Sequence, residues 1–451
     1  MVVIGFISIF LLGLMFIYRR KKGPIWALCI SWLICILPIA INLIDYTYFS
    51  TLDVGFAFLL MTYLLCFVVG VVLHDSVITD HPVSCAGMDV DCRVSVKWAW
   101  IAWFIGVVGT LCTVIDFVFF KDVGLDDLTA LRGVIVDAAG VTWFARIASI
   151  LTWGCLYCFA FALYFRDVIS RRRFAFFILP IAGYFLTALL SAGRQAALQI
   201  LIFALLIELL KKARCTSQRK MYKISWVLIL GVSFAMVIYM GYVAIARNDG
   251  LVSTDKTETL AILFNYTLSS TAEEIFGVLG YGVKATLIEA LVYFSHSLAL
   301  FSKFLTIEFT QLYAGAMTFP LIMHQLDSLT GISVVDALET KIYLMNETGE
   351  MGAGWTTAIS DYMMDFGHVG AAVVLFLQGF YTTFAWRRAV RGNDFNEVVV
   401  ALVLLTFVIY LPFFAATREA NLLLLWFFST VILLVTKYLN IYKKIETFSD
   451  N

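Results

Sequence analysis

The chain has 451 residues, of which 61% are hydrophobic, 16% aromatic and only 14% charged, with 32 basic residues balanced by 32 acidic ones. An ordinary soluble domain carries about 25% charged residues, so a water-solvated globule is excluded. A net charge of zero removes overall basicity as an argument for nucleic-acid binding, and the positions of the charges become the informative quantity.

Apolar runs of roughly 20 residues recur along the chain, each matched to a hydrocarbon core about 30 Å thick. No barrel-type alternation accompanies them, so the spans read as helices and the fold class as an all-α, polytopic transmembrane bundle. In chain order the runs and their polar breaks predict eleven spans, at 1–18, 25–44, 54–73, 98–119, 144–165, 174–191, 195–210, 224–246, 363–385, 397–415 and 422–438. The first is apolar from Val2 and is followed by Arg19, Arg20, Lys21 and Lys22. A secretory signal places its positive charges before the apolar stretch, so this segment reads as a retained span.

Alternating sides assigns every loop. One set holds 22 of the 32 Lys and Arg residues, among them Arg171, Arg172, Arg173, Lys443 and Lys444, and the other set holds 10. The positive-inside rule makes the first set cytoplasmic, with the N-terminus outside and the C-terminus inside. The chain then divides into eight spans over 1–246, a long external loop over 247–362, and three spans over 363–451. In that loop Ala261–Leu268 and Ala285–Phe304 read as helical, the second amphipathic enough to lie on or dip into the membrane surface. A long insert among otherwise short loops is where a working domain is expected.

Arginine beside the outer half of a span is expensive, because its guanidinium stays charged and needs an anion, water or a partner. Arg194 lies in the short turn Ser191-Ala192-Gly193-Arg194-Gln195, Arg247 opens the long loop, and Arg418 lies in the turn Thr417-Arg418-Glu419-Ala420-Asn421. All three fall at one membrane depth on the outer face, where converging guanidiniums suit a lipid-linked phosphate or diphosphate. A structural alternative is an interfacial anchor, with Arg418 paired to Glu419. Gln195, Tyr362 and Glu419 join Arg194 and Arg247 as candidate substrate-binding residues.

The stretch from Gly352 to Gly370 leads from the loop into a span and includes Asp361, Asp365 and His368. On a continuous helix these three share a face. A carboxylate there orients an arginine or deprotonates a sugar hydroxyl, while the competing reading has the acidic residues favouring the helix start. Asp365 and Arg418 are the candidate catalytic residues.

Other reactive side chains read as ordinary. His296 and His324 are the loop's two histidines, and a lone histidine is usually a hydrogen-bonded structural residue. His74, His81, Cys85 and Cys92 match no familiar zinc spacing, and Cys155 and Cys158 sit inside a span as lipid-facing or packed small residues. No phosphate-binding loop, dinucleotide glycine signature, HExxH or GxSxG elbow occurs, and Asp89-Val90-Asp91 has no nucleotide fold around it. No cofactor or metal is expected, and any sugar substrate is expected to arrive on a lipid.

Tyr313-Ala314-Gly315-Ala316-Met317-Thr318-Phe319 looks like a Gly-x-x-Thr-Phe stretch, and Trp355-Thr356-Thr357 through Asp365-Phe366-Gly367-His368-Val369-Gly370 looks like a Tyr-Thr to Asp-Phe-Gly-x-x-Gly signature. With the Gly193-Arg194 turn, the arginine after the next outward span and the long loop, the chain resembles the bacterial O-antigen or oligosaccharide repeat-unit polymerases, the Wzy family. It departs from that pattern in carrying Gly354-Trp355 where Asn-x-Tyr is expected. The resemblance implies a GT-C-like, metal-independent glycosyltransferase at the periplasmic face of the inner membrane. Undecaprenyl-diphosphate-linked oligosaccharides would be donor and acceptor, and a chain-length regulator and a flippase would be partners. Arg194 and Arg247 would hold the donor diphosphate, Arg418 the second lipid phosphate or the leaving group, and Asp365 would orient or activate. A ligase-type transferase and a non-catalytic lipid-linked-sugar transporter are the competing classes.

Overall fold

The computed structural model describes residues 2–19, 23–46, 54–77, 92–120, 142–190, 195–215, 261, 265–279, 281–305, 311–347 and 356–449. In chain order the helices are α1 (Val2–Ile17), α2 (Pro24–Ala40), α3 (Val54–Val77), α4 (Cys92–Phe120), α5 (Trp143–Leu151), α6 (Trp153–Tyr164), α7 (Arg171–Leu190) and α8 (Gln195–Cys215). After them come α9 (Ser270–Gly277), α10 (Tyr281–Phe304), α11 (Pro320–Thr330), α12 (Val334–Glu347), α13 (Ala358–Arg391), α14 (Phe395–Tyr410) and α15 (Ala420–Ser449). A 3-10 turn, Ala416–Arg418, precedes α15.

Six helical stretches among the described residues are long and apolar enough to cross a membrane: Gly55–Val77, Val94–Phe120, Trp143–Tyr164, Val283–Ser302, Ala358–Arg391 and Ala420–Tyr438. Five of them overlap expected spans. The sixth, Val283–Ser302, is the stretch expected to lie on the surface. Ile4–Ile17, Pro24–Ala40 and Phe395–Tyr410 are shorter apolar helices. At 1.5 Å per residue, the 16 residues of α14 reach about 24 Å, less than the hydrocarbon thickness. The expected spans at 174–191 and 195–210 are the charged-ended helices α7 and α8, and the one expected at 224–246 lies outside the described residues.

Local chemistry explains where the helices stop. The span expected over 25–44 ends early because Asn42 is left-handed (φ 54°), and the Leu43 N–H closes the turn on the Pro38 carbonyl at 2.9 Å. The chain then enters β1 (Ile44–Tyr46), which pairs antiparallel with β2 (Tyr266–Leu268). This small sheet corrects a purely helical expectation. In the stretch expected to be helical over 261–268, Asn265 is left-handed (φ 50°) and Tyr266-Thr267-Leu268 is extended. The span expected over 397–415 stops at Tyr410, because Pro412 lacks an N–H and disfavours helix in Leu411 before it.

The chain forms two compact units. The first comprises residues 1–79, 239–383 and 407–418. In it α1, α2, α3 and α10 pack together, and the Tyr46 hydroxyl ties β1 to α10 through Ser295 Oγ at 2.8 Å. Its helices α3 and α13 approach almost to backbone contact. A Cβ on Gly70 would collide with the Phe376 carbonyl oxygen, and one on Gly379 with the Phe67 carbonyl oxygen. Small residues at such a crossing let membrane helices gain dispersion contacts where lipid offers no hydrophobic driving force.

The second unit comprises residues 80–238, 384–406 and 419–451. There α4 packs along α5, α6 and α7, with Gly106 facing Gly154 too closely for a side chain on either. Cys155 and Cys158 are fully buried, their thiols donating to the Gly106 and Ala99 carbonyls at 3.4 Å, so they are packing residues. Arg166 pairs with Glu208 at 3.1 Å, and Arg214 donates to the Tyr164 hydroxyl at 2.7 Å.

Gly379→Leu is expected to destabilise the first unit by about 1–3 kcal/mol through overpacking. A lowered midpoint in thermal unfolding of the detergent-solubilised protein, with Gly13→Leu unchanged because nothing lies within 4 Å of a Cβ there, checks it.

Candidate functional site

The site is built in the first unit around a break in α13. Gly367 has φ 71° and ψ −179°, a conformation open to glycine and strained for other residues, and it interrupts the helix after Phe366. Continuous α-helical pairing would use the Met364 and Asp365 carbonyls four residues on. Instead they accept from the Tyr313 and Ala314 N–H groups at 3.1 and 2.9 Å. The segment that supplies those donors turns through Ala314 (φ 45°) and Gly315 (φ 105°) and then enters α11.

The Asp365 side chain secures the same turn. Its Oδ1 accepts from the Met317 N–H at 2.9 Å, and its Oδ2 accepts from the Thr318 N–H at 2.7 Å and the Thr318 hydroxyl at 2.6 Å. The carboxyl is 1% exposed, so three donors meet a group that burial alone would leave costly. The Thr417 hydroxyl donates to the Thr318 carbonyl, joining the turn before α15 to the turn before α11. The Gly315–Phe319 and Asp365–Gly370 stretches, 46 residues apart at Phe319 and Asp365, are therefore one hydrogen-bonded assembly.

One helical turn earlier, Asp361 is fully buried between cations. Its Oδ1 accepts from Lys341 Nζ at 2.6 Å, and its Oδ2 accepts from the Ala415 N–H at 3.0 Å. Arg418 Nη1 stands 3.8 Å from the same Oδ2, an ion pair beyond hydrogen-bond length. The Lys341 side chain is 9% exposed and the Arg418 side chain 28%. Burial holds the Lys341 ammonium below its ordinary pKa; the Asp361 carboxylate opposes that shift and Arg418 adds to it.

Asp365 and Arg418 both lie in this assembly, but the carboxylate beside Arg418 is Asp361, and Asp365 holds the 317–318 backbone. Asp361, and not the neighbouring Glu419, is the ion-pair partner of Arg418. Tyr362 is buried, its hydroxyl donating to Gln378 Oε1 at 3.3 Å across the helix break. His368 does not share the face of Asp361 and Asp365, because the Gly367 break intervenes. It is exposed, and its Nδ1 lies 2.8 Å from the Tyr63 hydroxyl.

Gln195 and Glu419 belong to the second unit. Gln195 Nε2 is buried without a hydrogen-bond partner among the described residues, and Glu419 stands at the start of α15. One turn beyond Gln195, Gln199 meets Tyr184 and Asn421 in a buried hydrogen-bonded trio, with Asn421 Nδ2 2.9 Å from Gln199 Oε1. Arg194 and Arg247 lie outside the described residues. Among the described residues no cluster of three or more His, Cys, Asp or Glu side chains is arranged to hold a metal.

Thr318 and Lys341 join the site through the fold, without having been expected as functional side chains. A signal for Lys341 was present: Val334, Ala337, Leu338 and Lys341 fall at i, i+3, i+4 and i+7, so the lysine occupies the inward stripe of an amphipathic helix. In comparisons with family models, curated proteins and solved structures, nothing matches this chain.

Asp365→Ala leaves the Met317 and Thr318 N–H groups buried without their acceptor, at about 1–3 kcal/mol each. The expected outcome is faster amide hydrogen exchange over 313–319 than in the parent protein, with unchanged exchange over α4.

Proposed function

We propose that this chain is a polysaccharide repeat-unit polymerase, joining undecaprenyl-diphosphate-linked oligosaccharides at the periplasmic face of the bacterial inner membrane. The observation that carries the reading is the bonding of Asp365 to Met317 and Thr318. The two stretches on which the resemblance to the Wzy family rests are remote in sequence, yet each completes the other's hydrogen bonding. The partly exposed guanidinium of Arg418 stands in the same assembly.

In this reading Arg418 faces a phosphate of the lipid carrier, and Arg194 and Arg247 hold the donor diphosphate. The acceptor sugar's hydroxyl oxygen forms a bond to the donor's anomeric carbon as the bond from that carbon to the diphosphate oxygen breaks. The electron pair leaves on the diphosphate, and the hydroxyl proton passes to a base. Guanidinium groups neutralise the leaving charge through bidentate, charge-assisted hydrogen bonds, which is electrostatic stabilisation supplied where the charge develops. Asp365 orders the turn beside Arg418, with both its oxygens engaged. The lipid bilayer is the setting of this function, and a flippase delivering single units and a chain-length regulator are the partners it suggests.

Arg418→Ala, Arg194→Ala and Arg247→Ala are each expected to leave the protein in the membrane while surface glycan falls from long chains to a single repeat unit. Gel sizing of the glycan checks this, and full-length polymer from a stably expressed Arg418→Ala protein refutes the assignment.

A further inference from the structure

Two cations and a backbone N–H meet at Asp361, and their distances are unequal. Lys341 makes a short hydrogen bond, Ala415 supplies a backbone donor, and Arg418 stands off at 3.8 Å with the greatest exposure of the three charged side chains. A buried carboxylate has to be compensated, and removing one partner of such a pair leaves a costly uncompensated charge, which a nearby cation can relieve by moving closer. Here Lys341 meets that need from α12, which spares Arg418.

We infer that Lys341 is a positioning residue: by satisfying Asp361 it keeps the Arg418 guanidinium available to an anionic ligand of the phosphate class. The inference rests on the proposed role of Arg418 in phosphate binding and deepens it. Without Lys341 the nearest cation for Asp361 is Arg418, whose Nη1 needs to move by about 1 Å to reach hydrogen-bond length from its 3.8 Å separation. An arginine held in a direct bond to a buried carboxylate has its charge largely neutralised and fewer N–H donors left, so it binds a phosphate more weakly. Lys341 itself is buried against Asp361 and does not need to touch the ligand. Val334 and Ala337 of α12 share a small core with Tyr313, Met317 and Met364, which packs α12 against the helix that bears Asp361.

The test uses the full-length protein in detergent and inorganic pyrophosphate as the probe, with binding followed by calorimetry. Lys341→Met is expected to weaken pyrophosphate binding about tenfold, equivalent to about 1.4 kcal/mol. Lys341→Arg is expected to restore it. The diagnostic variant is Lys341→Met combined with Asp361→Asn, which removes the carboxylate that would capture Arg418. Recovery to near parental affinity in that double variant is expected, and a purely structural lysine would not give it. Asp361→Asn alone is expected to bind at least as tightly as the parent, which keeps the inference open to refutation should Lys341→Met fail to fold.

Parental binding by Lys341→Met, no recovery in the double variant, or weakened binding by Asp361→Asn alone overturns the positioning role while leaving Arg418 as an anion ligand. Undiminished binding by Arg418→Met, or no binding by the parent protein, overturns the phosphate reading and this inference with it.

Discussion

The organisation of the first unit depends on two carboxylates that are buried one helical turn apart. A carboxylate withdrawn from water must be given donors or a counter-charge, because a buried charge left unpaired is strongly destabilising. Asp365 is met by two backbone N–H groups and a hydroxyl, Asp361 by an ammonium, a backbone N–H and a more distant guanidinium. These donors come from the 311–319 turn, from α12 and from the 411–418 turn. Three segments separated along the chain are thereby fixed to one end of α13.

The Gly367 break serves the same end through the backbone. A positive φ at this glycine takes the Met364 and Asp365 carbonyls out of the helical ladder, and the Tyr313 and Ala314 N–H groups occupy them. Side-chain and main-chain bonds therefore converge on the same turn. Each is a modest contribution taken alone, but together they leave the turn one conformation in which every partner is satisfied. An assembly of this kind suits a site whose charged groups must be held in register. Arg418 gains a defined position from the 3-10 turn that ends with it, while Thr417 beside it is anchored to Thr318.

The rest of the molecule follows the logic of helices in lipid. Glycine contacts at Gly70 and Gly379 in one unit, and at Gly106 and Gly154 in the other, allow backbones to meet where larger side chains would hold them apart. Tyr184, Gln199 and Asn421, buried between helices of the second unit, satisfy one another in a hydrogen-bonded trio. In the first unit the charged assembly gathers at the Gly367 break of α13, the two turns beside it and Lys341 on α12.

The sequence alone was enough to determine that the chain is helical and membrane-bound, because hydropathy over 20 residues is a local property that survives any tertiary arrangement. It also marked Asp361, Asp365 and Arg418, since charge beside an apolar span is visible without a fold. Helix ends were partly legible: Pro412 and Asn42 were there to be read, and the lengths misjudged at 25–44 and 397–415 follow from them. Which carboxylate faces which cation was decided only in three dimensions. Asp361 lies 20 residues from Lys341 and 57 from Arg418, and no periodicity links such positions. The loss of His368 from the shared face had the same origin, because glycine is permitted a left-handed conformation everywhere and adopts it at Gly367 where neighbouring donors claim the freed carbonyls.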